Sequence, residues 1–176
     1  LCDRLNVIIF TKSHTFTSNS YLAQGGIAVA LDQGDQWYDH YHDTMVAGVY
    51  HNHKEHLKIL TKEARAYITE LIHNGMEFDR DRNGKIDFGQ EGGHKRRRII
   101  HAGGDATGKA LTTFLFEQIK GRVEIIENEM AMDLIVQNDR CIGVITKQEN
   151  GEIHQYFAPA TVLATGGCGG IYEYTS

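Results

Sequence analysis

A short β-branched strand that runs into a lysine, then into small residues and paired glycines, restricts this chain more than any other feature. Asn6–Thr11 carries Val7, Ile8, Ile9 and Phe10, and Lys12 follows at its end. Ser18-Asn19-Ser20-Tyr21-Leu22-Ala23-Gln24-Gly25-Gly26-Ile27-Ala28 then supplies small polar groups, two glycines and a second apolar run. A strand end that opens into glycines lets backbone N–H groups approach a phosphate closely, and Lys12 adds a cation. The pattern reads as half of a nucleotide cradle, or as a plain loop turned by two glycines.

The length suits one domain, or a large part of a bigger one. A formal net charge of −5 disfavours a nucleic-acid or anionic-membrane surface. No apolar run approaches the length of a transmembrane helix, and no charged-then-apolar leader is visible. Cys2, Cys141 and Cys168 are odd in number, far apart and form no C-x-x-C pair. They read as free thiols of a reducing cytoplasm.

Along the chain, Leu1–Leu5 reads as the tail of a helix and Asp35–Ala47 as a helix stopped by Gly48. His53–Asn74 is the clearest helix. Leu57, Leu60, Ala64, Tyr67, Ile68, Leu71 and Ile72 recur at helical spacing, and Asn74-Gly75 supplies the cap. Asp79–Lys85 is a polar turn with Asn83-Gly84 as a hairpin signal. Arg98–Ala102 reads as a short strand, Gly103–Gly108 as a tight turn and Lys109–Lys120 as a helix. Val123–Ile126 is a strand. Met132–Val136, Ile142–Thr146 and Ile153–Phe157 form a meander turned at Asn138-Asp139 and Glu149-Asn150-Gly151. Thr161-Val162-Leu163 reads as a last buried strand.

Several constellations invite chemistry. Gly103-x-x-x-x-Gly108-Lys109 matches most of a P-loop, but Ala110 stands where a hydroxyl should reach magnesium. This keeps a non-redox nucleotide-binding module as an alternative. Asp79, Asp81, Asn83 and Gly84 follow the start of a calcium loop, yet Gln90 falls where the bidentate glutamate belongs. His51, His53 and His56, with His40 and His42, invite a metal, but no cysteine completes a zinc set, and no metal is assigned. His94-Lys95-Arg96-Arg97-Arg98 is the one basic run. It is a solvated edge, or an anion site in which an arginine fork holds a carboxylate. Which of Arg96, Arg97 and Arg98 faces inward is not legible.

The segment Ser18–Ala28 resembles the FAD-binding signature of the fumarate reductase and succinate dehydrogenase flavoprotein superfamily. The resemblance continues in Glu91-Gly92-Gly93-His94, in Arg97-Arg98-Ile99-Ile100-His101-Ala102 and in Asp105-Ala106-Thr107-Gly108. It continues again in Asn128-Glu129-Met130-Ala131-Met132-Asp133-Leu134 and in Ala164-Thr165-Gly166-Gly167. It implies an α/β fold, a Rossmann-like FAD-binding domain with an inserted β-meander. It also implies that Lys12, Asn19, Ser20, Tyr21, Leu22, Ala23, Gln24, Gly25 and Gly26 contact FAD. Ala131 and Met132 are implied to lie under the adenine, and Ala164, Thr165 and Gly166 to line the cofactor.

Two positions select a branch within that superfamily. Asn19 stands where the membrane-bound members carry a histidine bonded covalently to the flavin, and an amide cannot form that bond, so FAD is expected to be non-covalent. Glu91 would repel a plain dicarboxylate and pair with the ammonium of an amino dicarboxylate. The implied activity is that of the L-aspartate-oxidising branch: L-aspartate to iminoaspartate, with oxygen or fumarate as electron acceptor. The product would pass to quinolinate synthase in NAD synthesis. A soluble fumarate reductase is the nearer alternative. A dinucleotide-binding fold also needs an earlier strand and a G-x-G-x-x-G turn, which occurs nowhere here. Residues 1–176 are therefore expected to be a partial FAD-binding domain, with the capping domain, the catalytic arginine and the substrate histidines lying elsewhere. No catalytic residue is assigned within it, and the stretch alone is expected not to turn over.

Overall fold

The computed structural model describes residues 2–174. In chain order the elements are β1 (Ile8–Phe10), α1 (Asn19–Leu22), β2 (Ile27–Ala28), α2 (Trp37–Ala47), α3 (Lys54–His73), β3 (Phe88–Gly89), β4 (Ile99–Ile100), α4 (Thr107–Ile119), β5 (Glu124–Ile126), β6 (Glu129–Gln137), β7 (Arg140–Gln148) and β8 (Ile153–Phe157), with two short 3-10 turns. The fold is mixed α/β, as expected. The chain divides into two units: Ser20–Gln118, and the residues up to Asn19 together with those from Ile119 onward.

In the continuous unit, β4 is the centre of an antiparallel sheet ordered β2-β4-β3. Ile27 pairs with Ile100, and Phe88 also pairs with Ile100 from the other side. Val29, Ile68, Met76, Phe78, Ile100 and Ala102 form its buried core. Helix α3 follows the expected pattern. His53 caps its start, Nδ1 accepting from the His56 amide at 3.3 Å, and Gly75 takes φ +99° just past Asn74. Leu57 and Ile68 are buried, but Leu60 and Tyr67 lie open to solvent. The apolar stripe is wider than the face the sheet covers. Helix α2 begins at Trp37 rather than Asp35, because the Asp35 carboxylate turns inward to an arginine described below.

In the split unit, β1 and β5 pair in parallel, with Ile8 opposite Glu124 and Phe10 opposite Ile126. Strands β6, β7 and β8 form the expected antiparallel meander, longer than its apolar runs suggested. Asn138 and Asp139 turn it with φ +50° and +59°, the left-handed pair of a type I′ hairpin. A register shift falls between Ala131 and Asp133, so Met132 is the extra residue of a bulge. The Glu129 carboxylate is buried beneath the meander, taking hydrogen bonds from Thr146 at 2.5 Å and Gln148 at 3.3 Å, with His154 Nδ1 at 3.1 Å.

Two expectations need correction. Cys2–Arg4 form a turn, not the end of a helix; Leu1 lies outside the described residues. Thr161-Val162-Leu163 is not a strand, and Val162 and Leu163 are exposed. A β-prone run becomes a strand only where a neighbour offers a ladder, and none of the described strands pairs with it. The Asp79–Lys85 turn closes a short hairpin, as expected: Arg80 bridges Ile86, and the Asp81 and Asp87 amides donate to the Lys85 and Asp79 carbonyls, with the Asp81 carboxylate accepting from the Asn83 and Lys85 amides. No described helix is long and apolar enough to cross a membrane.

Candidate functional site

Within the continuous unit, the two signature glycines are needed for different reasons. Gly25 has φ +72°, and the nearest atom to a Cβ placed there is Glu91 Oε1 at 4.0 Å. It supplies backbone freedom and leaves open space. Gly26 supplies close approach. A Cβ there would lie 2.6 Å from the Ile100 carbonyl and 2.8 Å from His101 Nε2. The absent side chain of Gly26 thus serves the sheet as well as any ligand. Small, open residues run up to the pair: Ser20, Ala23 and Gln24 are exposed and Tyr21 is half-buried. That surface fits a flat cofactor laid along the backbone.

The signature is held against the start of α4. The Gly108 amide donates to the Ala23 carbonyl at 3.0 Å. A Cβ on Gly108 would lie 2.5 Å from that oxygen and 2.8 Å from Ala23 Cβ, and would overlap the Ser20 carbonyl. Thr107, buried, accepts from the Ala102 amide at 3.2 Å. The P-loop reading fails at the same turn. The Gly103 and Gly104 amides, which would have to face phosphate, each donate to the Asp79 carboxylate at 2.9 Å. Asp79 is therefore a staple for that turn, not a calcium ligand. Among the described residues no group of three or more His, Cys, Asp or Glu is placed to hold a metal. His53 is occupied as a cap, its ring stacked on His56 at 3.9 Å.

Glu91 stands beside the glycine pair with its side chain 56% exposed, and its Oε1 is 3.8 Å from His101 Nε2. The sequence did not single out His101. The signal was present, since it follows the strand Ile99–Ile100 and lies one step from the buried Ala102.

The basic run resolves into one internal and several external cations. Arg98 is fully buried. Its Nε and Nη2 donate to the two Asp35 carboxylate oxygens at 2.8 Å each, and its Nη1 donates to Asp43 at 2.9 Å. It is closed to any substrate carboxylate. Arg97 is exposed and donates to the Phe88 carbonyl at 2.5 Å; Arg96 is exposed. The Asp43 pKa lies below the usual carboxylate range. Burial pulls it up, but the Lys95 amide and the Arg98 guanidinium more than reverse that. His40 is buried alongside, its Nδ1 without a hydrogen-bond partner. Burial first, then Arg98, lowers its pKa from 6.5 to about 4. Between those values the unfolded chain binds more protons than the folded one, so stability is complete above pH 6.5 and falls as pH drops towards 4. The urea midpoint is expected to follow that fall, and His40→Leu to flatten it. An unchanged slope in the variant would count against His40 as the source.

The split unit carries the remaining expected residues. Lys12 is exposed immediately after β1, and Asn19 is exposed at the first position of α1. Ala131 and Met132 are exposed at the β6 bulge. Ala164, Thr165 and Gly166 lie in an exposed segment without regular structure, Gly166 with φ +79°. The structure thus brings Gly25, Gly26, Glu91 and His101 together in the continuous unit. It places Lys12, Asn19, Ala131, Met132 and Ala164–Gly166 in the other.

An FAD binding domain model matches residues 3–176. The chain is 40% identical over 166 residues to L-aspartate oxidase of Bacillus subtilis, covering 94% of this chain and 31% of that protein. It is 42% identical over 171 residues to L-aspartate oxidase of Halalkalibacterium halodurans, covering 97% of this chain and 33% of that protein. It spans about a third of the length of these curated relatives. Among solved structures it is similar to the Mycobacterium smegmatis Sdh1 complex, with TM-score 0.85 and 30% identity over 94% of this chain and 31% of that one. The Escherichia coli quinol fumarate reductase matches in fold, with TM-score 0.88 and 24% identity over 98% of this chain and 30% of that one.

Proposed function

The chain belongs to the FAD binding domain family, and from that premise we propose that it forms the cofactor-binding part of an FAD-dependent L-aspartate oxidase. The observation that carries the substrate is the Glu91 carboxylate, exposed and next to the glycine turn. The identity to L-aspartate oxidases over nearly the whole chain supports it. Bound FAD would accept a hydride. Lys12, Asn19, Ser20, Tyr21, Leu22, Ala23, Gln24, Gly25 and Gly26 would hold it, with Ala131 and Met132 under the adenine and Ala164, Thr165 and Gly166 along it.

Glu91 would accept from the substrate ammonium, placing the amino dicarboxylate and disfavouring one without nitrogen. Oxidation removes two electrons and two protons from L-aspartate and leaves iminoaspartate. Oxygen would carry them away as hydrogen peroxide, and fumarate as succinate. The imine would then be consumed by quinolinate synthase in NAD synthesis.

The test is steady-state kinetics on the full-length flavoprotein. Glu91→Gln keeps the shape and removes the charge. A hydrogen bond to a charged group contributes about 1.5–3 kcal/mol, so kcat/KM for aspartate is expected to fall roughly 10- to 100-fold. Fumarate kinetics should hold or improve, with flavin content unchanged. Equal losses on both substrates would refute the role. A soluble fumarate reductase is the second reading, and fumarate turnover without aspartate-dependent peroxide or succinate would select it. Because Asn19 offers no covalent attachment, acid denaturation is expected to release all the FAD. Flavin fluorescence that stays with the polypeptide on a denaturing gel would contradict this.

A further inference from the structure

We propose that His101 is a positioning residue for Glu91 and thereby sets the preference for an amino dicarboxylate over a plain one. The inference rests on the aspartate reading above and adds to it a residue that the reading does not use.

His101 directly follows β4, the central strand of its sheet. The register that pairs Ile27 with Ile100 puts Gly26 opposite His101. Both flanking strands lack a side chain where the imidazole lies. A Cβ at Gly26 would stand 2.8 Å from Nε2, and one at Gly89 would stand 3.0 Å from Cε1. The ring therefore lies in a slot cut by two glycines, one contributed from each side. The backbone of the slot is also fixed. The His101 carbonyl accepts from the Asp79 amide at 2.8 Å, and the Asp79 carboxylate is engaged by the Gly103 and Gly104 amides.

One edge of the ring meets a charge. Nε2 faces Glu91 Oε1 at 3.8 Å, with the histidine side chain 28% exposed and the glutamate 56%. One partner is clamped and the other is free to swing. A solvent-facing glutamate has many rotamers, and fixing it costs entropy on every binding event unless something orients it beforehand. A clamped imidazole 3.8 Å from the carboxylate does this by limiting the directions in which the Glu91 side chain can settle.

The experiment uses the full-length, FAD-loaded enzyme with His101→Leu, His101→Gln, Glu91→Gln and the double variant His101→Leu/Glu91→Gln. His101→Leu is expected to raise KM for aspartate roughly three- to tenfold, with the change falling on KM rather than kcat and with no parallel rise for fumarate. His101→Gln, which keeps a nitrogen near the Nε2 position, should recover most of the loss. In the Glu91→Gln background, His101→Leu should add nothing, because the group it orients is no longer charged. Additive effects in the double variant, or equal losses on both substrates, would overturn the proposal. If His101→Leu does not fold, His101→Asn decides: its amide reaches only the Nδ1 position and not the Nε2 that faces Glu91, so an unchanged aspartate KM in it also overturns the proposal. A Glu91→Gln enzyme with unchanged aspartate KM would instead sink the aspartate reading. A Glu91→Gln effect accompanied by additive His101→Leu would sink only the positioning role.

Discussion

Arg98→Met is expected to destabilise the protein by about 3–5 kcal/mol, the usual cost of removing one partner from a buried ion pair. The guanidinium is wholly buried and satisfies three carboxylate oxygens, two on Asp35 and one on Asp43. Both aspartates are almost completely covered. Methionine fills much of the volume but leaves two buried negative charges facing each other with no cation between them. They must then take up protons or draw in water, and either route disrupts the join between the start of β4 and helix α2. Arg98→Lys should fall between the two, because an ammonium cannot fork to both oxygens of Asp35 while also reaching Asp43. Arg96→Ala, two residues away and exposed, should stay within about 0.5 kcal/mol of the parent. Urea unfolding of the three variants reads the differences. Similar midpoints for Arg98→Met and Arg96→Ala would show that the buried fork contributes nothing.

The second large effect is expected at Gly108. Gly108→Val should cost about 3 kcal/mol or more, at the upper end of overpacking, and should abolish FAD binding in the full-length protein. The first added carbon already falls inside contact distance of the Ala23 carbonyl and the Ser20 carbonyl. These are backbone atoms, so no rotamer change relieves the clash. Relief requires that α4 and the segment Ser20–Ala23 part, breaking the Gly108 to Ala23 hydrogen bond and moving the residues proposed to hold the cofactor. Gly92→Ala is the control, because its Cβ would meet nothing within 4 Å. Thermal melts and the flavin absorption band measure both consequences. Wild-type flavin content in Gly108→Val would mean that the signature does not depend on α4.

Local pattern made the helices and the meander legible. The spacing of Leu57, Ile68 and their neighbours announced α3, and the alternation around Asn138-Asp139 announced the paired strands β6 and β7. Extended runs were less reliable. Thr161-Val162-Leu163 has strand composition but no ladder, because pairing depends on a neighbour and not on the run itself. The candidate site was legible where a family signature named it, and Gly25, Gly26 and Glu91 stand together in the structure. Tertiary roles were illegible where a partner lies far along the chain. Arg98 could not be told from Arg96 or Arg97, because Asp35 and Asp43 lie 63 and 55 positions away. Asp79 looked like a solvated turn residue because its amide partners lie 24 and 25 positions on. His101 gained its meaning only when two glycines from separate strands were seen on either side of it.

The division of the chain also sets an order of assembly. Ser20–Gln118 is one unbroken stretch, and its sheet, the helices α2 and α3 and the buried arginine draw only on residues within it. It can begin to form as soon as that stretch has left the ribosome. The parallel partners Ile8 and Glu124 cannot meet until the whole intervening segment has been made. Closing so long a loop carries an entropic cost before any contact rewards it. Strand β1 is synthesised well before its partner β5 and is paired late. Until then, the β1 backbone groups that will face β5 must find their hydrogen bonds elsewhere.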